Sequence, residues 1–121
     1  MHIPVLKREV LEFLKLHASQ NVIDCNLGFG GHAEAMLEAT SPDGKLIGLD
    51  LDQSAIAKVR ERFEKKASLQ DRYFLLNRNF KNLADAVSEL PKFPINAILF
   101  DLGMSSMQLD DPARGFSFKK G

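Results

Sequence analysis

Cysteine is nearly absent: the single Cys25 in 121 residues excludes an internal disulfide and any multi-cysteine metal site. His2 and His17 have no companion at ligand spacing, so no metal is expected. Long apolar runs are missing as well. None approaches the roughly 18 residues of a membrane span, so no membrane partner is expected. The opening MHIPVLKREV lacks the apolar core of a secretory signal, which makes the cytoplasm the expected compartment. Charge of one sign is also lacking, because sixteen basic residues cancel sixteen acidic ones. That balance argues against a nucleic-acid binder relying on bulk charge, while local patches stay open. What is present is 45% hydrophobic and 26% charged residues, the balance of a globular chain with a core of its own. The length fits one domain, and disorder and low complexity are excluded.

Two apolar periods alternate along the chain. Leu6, Val10, Phe13, Leu14 and His17 fall at helical spacing and predict a helix over 7–17. Asn21 to Leu27 is short, β-branched at its start and closed by glycines, which predicts a strand. His32 to about Thr40 reads as helix, and Ser41 to Gly44 as a turn. Lys45 to Asp50 is a second strand. Asp52 stands where an N-cap belongs, before a helix whose buried stripe is Ile56, Val59 and Phe63. Arg72 to Asn77 is a third strand. Phe80, Leu83, Ala84, Val87 and Leu90 predict a further helix, closed by Pro91 and Pro94. Asn96 to Leu102 is a near-continuous apolar strand, as in a sheet covered on both faces. Alternating strands and helices imply right-handed crossovers and an α/β fold with a parallel sheet. From Gly103 to Gly121 the pattern has no clear period, and the chain is expected to stop in mid-architecture.

Three features could carry chemistry. Gly28, Gly30 and Ala33 match G-x-G-x-x-[GA] between the first strand and a helix, a loop that lets backbone approach a ligand. Asp50 ends the second strand about 20 residues later, where a carboxylate accepts hydrogen bonds from ribose hydroxyls. A tight turn with a capping aspartate would look similar, but loop, strand and acid match independently, and a nucleoside cofactor is the better reading. Both a nicotinamide dinucleotide and S-adenosylmethionine remain open at this point. Asp24, inside the first strand, could hold the amino group of the latter's tail, and His32 adds a polar side chain at the loop. A side chain at Gly30 is expected to fill the space where backbone meets ligand. Asp101, at the end of the fourth strand, should face the same crevice, where it could accept from an exocyclic amine. Phe80 could pack on an adenine ring or equally turn into the core. Cys25 reads as a small core residue. Arg114, Lys119 and Lys120 could meet phosphates, although cations in a tail are usually only solvated.

His2-Ile-Pro-Val-Leu6, Asp24 to His32, Gly48 to Asp52 and above all Asp101-Leu-Gly-Met-Ser-Ser-Met-Gln-Leu-Asp-Asp-Pro-Ala-Arg-Gly-Phe-Ser-Phe118 resemble the bacterial 16S rRNA cytosine-N4 methyltransferase family. The resemblance runs in register from residue 2 onward. It implies a Rossmann-like methyltransferase fold, strand order 3-2-1-4, in which 1–121 is the N-terminal part of the cofactor domain, without the later strands and the inserted helical domain. It implies S-adenosylmethionine as donor and a cytosine of 16S rRNA in the small ribosomal subunit as acceptor. By position, the cofactor contacts are Gly30, Gly31, His32, Asp50, Phe80, Asp101 and Gln108, with Asp101 the catalytic residue. Asn26, Leu51 and Met107 depart from the family's usual threonine, arginine and proline.

As the resemblance implies, the cytosine N4 attacks the methyl group in line without a covalent enzyme intermediate, and the protein's work is positioning. The base must be unpaired or flipped out, because pairing hides N4. The alternative is a cofactor-binding fragment without catalysis, and this chain alone is expected to methylate no rRNA measurably. Missing strands would leave Ala97 to Phe100 as an open apolar edge, which predicts self-association through that strand.

Overall fold

Successive side chains of a strand point to opposite faces, so a strand buried at every position needs cover on both. Three such segments form the centre of the computed structural model, which describes residues 9, 11, 12, 14–100 and 106–108. They are β1 (Val22–Asp24), β2 (Leu46–Leu49) and β4 (Ala97–Leu99), with β3 (Tyr73–Leu76) outside β2. On one face Val22, Leu46, Ala97 and Leu99 pack with Ala33, Met36 and Leu37 of α1 (Gly31–Ala39) and with Ile56, Val59 and Phe63 of α2 (Gln53–Glu64). On the other, Ile23, Ile47 and Ile98 pack with Leu83 of α3 (Leu83–Ser88) and with Ile95.

The order is β3-β2-β1-β4-β5, and β1 to β4 are parallel, as expected. Ile23 sits in the middle, opposite Ile47 on one side and Ile98 on the other. A fifth strand lies beyond these four, where an open edge was expected. Ser106–Gln108 forms β5 antiparallel to β4, with Ala97 opposite Gln108 and Leu99 opposite Ser106. The sheet is therefore mixed, and the β4 edge expected to drive self-association is occupied by the chain itself. Backbone groups left open on an apolar strand are taken by the nearest segment that can reach them.

Of the first expected helix, residues 9, 11, 12 and 14 are helical, and the rest of 7–13 lies outside the described residues. Asp52 caps α2 as predicted, accepting from the Ser54 N–H at 2.8 Å. The expected helix from Phe80 begins instead as a 3-10 turn, Phe80–Asn82, because the Asn79 side chain accepts from the Lys81 N–H at 3.0 Å.

Two buried polar side chains fix the end of the sheet away from the strand C-termini. Asn21 donates to the Pro94 carbonyl at 2.9 Å and accepts from the Lys45 N–H at 2.8 Å, joining the approaches to β1, β2 and β4. Arg72, buried at the entry to β3, donates to the carbonyls of Gly44 (2.8 Å), Ser68 (2.8 Å) and Leu37 (2.5 Å). Its cation lies at the C-terminal turn of α1, where a helix presents unpaired carbonyls. Asp43 is the acid near enough to favour its charge, and burial pulls the guanidinium below its ordinary pKa.

Candidate cofactor site

At the opposite end the chain must leave β1 and enter α1 within a few residues. Asp24 Oδ1 accepts from the Asn26 N–H at 3.1 Å, which turns the backbone out of the strand. The Leu27 N–H still bonds the Leu49 carbonyl at 2.8 Å, so the loop runs beside the end of β2. Gly28 (φ 55°) and Gly30 (φ 86°) then take left-handed conformations, and Gly30 becomes the N-cap of α1 with no side-chain cap.

Asp50 organises this loop. One carboxylate oxygen accepts from the Gly28 N–H at 2.8 Å and the other from the Asp52 N–H at 2.8 Å. A carboxylate offers about four acceptor positions, so two bonds leave capacity for hydroxyls of a ligand. Asn77 reaches over from the end of β3 and donates to the carbonyls of Asp50 (2.9 Å) and Leu51 (3.0 Å). The outer side of the loop is held from α2, where Arg62 donates to the Phe29 carbonyl at 3.0 Å and pairs with Glu34 at 2.5 Å. Lys66 pairs with the same carboxylate. Burial alone would raise the Glu34 pKa, but the hydrogen bonds and charges of Lys66 and Arg62 outweigh it and hold the carboxyl below its ordinary value.

A cleft of about 480 Å³ opens over the C-terminal ends of the four parallel strands. Cys25 and Asn26 follow β1 into it, Asp50 and Leu51 follow β2, Phe80 stands beyond β3, and Phe100 follows β4. Phe80 is 41% exposed and meets Phe100 edge to face, with ring centroids 5.3 Å apart. Its ring therefore stands at the cleft and not in the core. Arg78 borders the same cleft and pairs with Glu89 at 2.8 Å. Cys25 is half-buried, packed against the core cluster of Ile23 and Ile98 as expected, and it also borders the cleft. Burial, with Asp24 next to it, pushes its thiol up to about 12, so it is no nucleophile.

The structure thus brings Gly30, Gly31, His32, Asp50 and Phe80 to one end of the sheet. Asp101 lies outside the described residues. Gln108 belongs to β5 with its backbone opposite Ala97, and its side chain lies outside the described residues. The expectation about Gly30 needs correcting in its reason. A Cβ there would stand 3.1 Å from both γ-carbons of Val59, pointing at α2 and not into the ligand's space. At Gly28 and Gly31 a Cβ would meet nothing within 4 Å. Sequence reasoning missed Arg62 altogether, since a surface arginine on a helix carries no sign that it will reach a loop carbonyl.

Asp24 is the anomaly. It is 1% exposed, and its Oδ2 has no hydrogen-bond partner among the described residues. Burial pushes the carboxyl up to about 7, the Asn26 N–H offsets part of that, and the charge of Asp50 adds to it. Because the folded state binds this proton more tightly than the unfolded chain, stability falls as pH rises from about 4 to about 7 and levels off above. Asp24→Asn should remove that slope. At pH 8 it should be more stable than the wild type by about 2 kcal/mol, less than the full cost of the charge because the amide is also buried. Parallel melting curves of the two proteins against pH would refute this.

The model of the MraW methylase family matches residues 1–121. The chain is 44% identical over 118 residues to the ribosomal RNA small subunit methyltransferase H of Dehalococcoides mccartyi, covering 98% of this chain and 33% of that protein. Its identity to the protein of that name from Geotalea uraniireducens is 46% over 118 residues, covering 98% and 37%. The chain therefore spans about a third of the length of the curated relatives it matches. Among solved structures, an rRNA methylase from Streptococcus thermophilus superposes with TM-score 0.60 at 19% identity, over 83% of this chain and 51% of that one. A SAM-dependent O-methyltransferase from Thermotoga maritima superposes with TM-score 0.64 at 15% identity, over 83% and 35%. At those identities the likeness concerns the fold, a Rossmann-like α/β sheet.

Proposed function

From the premise that the chain belongs to the MraW methylase family, we propose that its cleft holds S-adenosylmethionine and that 1–121 is the N-terminal part of the cofactor domain of an rRNA methyltransferase. The acceptor in this reading is the N4 amine of a cytosine in the decoding region of 16S rRNA, and the compartment is the cytoplasm. The observation that carries it is Asp50, which stands at the end of β2 with spare acceptor capacity, beside the glycine loop and in one cleft with a half-exposed aromatic ring.

The residues present suit such a ligand. Asp50 accepts from the ribose hydroxyls while keeping the loop closed through Gly28. Phe80 offers its exposed face to the adenine. Gly31 and His32 begin α1 beside the tail, where no side chain caps the helix. By the family resemblance Asp101 and Gln108 complete the set, with Asp101 accepting from the amine to be methylated and so aiming the nitrogen lone pair. When bound, the cofactor supplies an electrophilic methyl group on its sulfonium. Positioning is then the protein's contribution, which agrees with the high thiol pKa of Cys25.

Calorimetry with S-adenosylhomocysteine tests the reading. Asp50→Ala should weaken binding by about 1–3 kcal/mol, since the ribose hydroxyls lose their acceptor and the Gly28 and Asp52 N–H groups lose theirs. Wild-type affinity in that variant, or stronger binding of a nicotinamide dinucleotide than of S-adenosylhomocysteine, would overturn the proposal.

A further inference from the structure

A buried carboxyl oxygen without a partner calls for an explanation, because isolated buried polar groups are rare in native proteins. Asp24 Oδ2 is such an atom, and its position is informative. Side chains alternate along β1, so Asp24 shares the face of Val22, the face covered by α1. Asp24 therefore lies under the turn that carries Asn26 to Gly30 into the helix, between the sheet and the glycine loop. Its Oδ1 is already committed to the Asn26 N–H, which leaves Oδ2 as the acceptor still to be used.

Among the described residues no lysine or arginine is bonded to it. Asp50, at the end of β2, faces it with a like charge, and Cys25 beside it carries a neutral thiol. β4 contributes Ala97, Ile98 and Leu99, none of them titratable. The first turn of α1 carries His32 and Glu34, and Glu34 is engaged by Arg62 and Lys66. A cation carried by a ligand would supply the partner that Oδ2 lacks among the described residues. On the cofactor reading above, the α-ammonium group of the amino-acid tail is such a cation.

We propose that ligand binding at this site is coupled to proton release from Asp24: the carboxyl is protonated in the empty site and ionises as the ligand's ammonium group arrives. The O–H bond of the carboxyl breaks, its proton passes to buffer, and an ammonium–carboxylate pair with hydrogen bonding takes its place. No bond of the ligand changes, and the ammonium, with a pKa well above neutrality, keeps its own proton. An acid titrating near neutrality in the empty site fits this sequence of events.

Titration calorimetry of S-adenosylhomocysteine in phosphate and in Tris, buffers of different ionisation enthalpy, counts the protons released. The expected count is roughly half a proton per ligand at pH 7, nearing one at pH 6 and zero at pH 8.5. Affinity should rise up to about tenfold per pH unit below pH 7 and level off above it. 5′-Methylthioadenosine, which keeps the nucleoside but lacks the amino-acid tail, should bind without release. Asp24→Asn should bind S-adenosylhomocysteine more weakly, without release and without the rise in affinity. Binding with no buffer dependence at pH 6 to 7, or equal release from Asp24→Asn, would overturn the coupling while leaving the cofactor reading intact. No binding of either ligand to the wild type would overturn both.

Discussion

Gly30→Val should lower stability by about 2–6 kcal/mol and bring S-adenosylhomocysteine binding below detection, two effects with one origin. The residue has φ 86°, which a β-branched side chain adopts only at a cost of about 1–3 kcal/mol. The new Cβ would stand 3.1 Å from both γ-carbons of Val59 and 3.6 Å from a ring carbon of Phe63, and two further methyl groups must then find room against α2. Overpacking of that kind typically costs about 1–3 kcal/mol more. The backbone can escape only by lifting the loop away from α2. That movement strains the Gly28 N–H bond to Asp50 and the Arg62 bond to the Phe29 carbonyl, which together shape the cleft. Gly30→Ala should show the same pattern at smaller size. Adding Val59→Ala to it should recover the contact part of the loss and leave the φ part. Denaturant unfolding beside calorimetry measures both. Undiminished affinity in Gly30→Val would show that the cleft does not depend on the loop's position.

Elements whose physics is local could be read from the sequence, and those decided by distant partners could not. The alternation Val22-Ile23, Leu46-Ile47 and Ala97-Ile98-Leu99 is a local pattern, and it yields central parallel strands because both faces must be covered. Asp52 before Ile56 is likewise local, and the cap forms. β5 is three residues whose strand character comes from the free edge of β4, so no pattern within Ser106–Gln108 could announce it. The site shows the same division. Glycines after a strand mark a loop that needs positive φ, and Asp50 marks the end of the next strand. Which way Gly30 would point a side chain depends on Val59, far along the chain. Asp24 could be suspected from a lone acid in an apolar strand, yet its orphaned oxygen appears only once the loop is folded over it. Arg72 reads as the first residue of a strand, although its side chain closes carbonyls from Leu37, Gly44 and Ser68.

The same network makes Gly44→Ala the most damaging substitution expected at the other end of the sheet. Gly44 looks like an ordinary turn glycine, and its conformation is open to any residue; the difficulty is space. A Cβ would lie 2.3 Å from the Gln20 carbonyl oxygen and 2.4 Å from Cβ and Oγ1 of Thr40. Gln20 is backbone leading into β1, so it cannot swing aside as a side chain would. Thr40 is pinned as well, since its carbonyl accepts from Gly44 (2.9 Å) and Ser19 (3.0 Å) and its hydroxyl donates to the Met36 carbonyl at 2.9 Å. Moving Gly44 instead would pull its carbonyl from Arg72 Nε, leaving a buried cation short of an acceptor. Each escape breaks buried hydrogen bonds, so the loss should exceed about 4 kcal/mol, a large share of the roughly 5–15 kcal/mol that holds a domain folded. Gly31→Ala provides the contrast, because a Cβ there meets nothing within 4 Å and the backbone is helical, so stability should stay within about 0.5 kcal/mol of wild type. Denaturant melts of the two variants side by side decide the matter. A Gly44→Ala protein as stable as Gly31→Ala would mean that the β1 approach and the end of α1 yield far more readily than their shared hydrogen bonds imply.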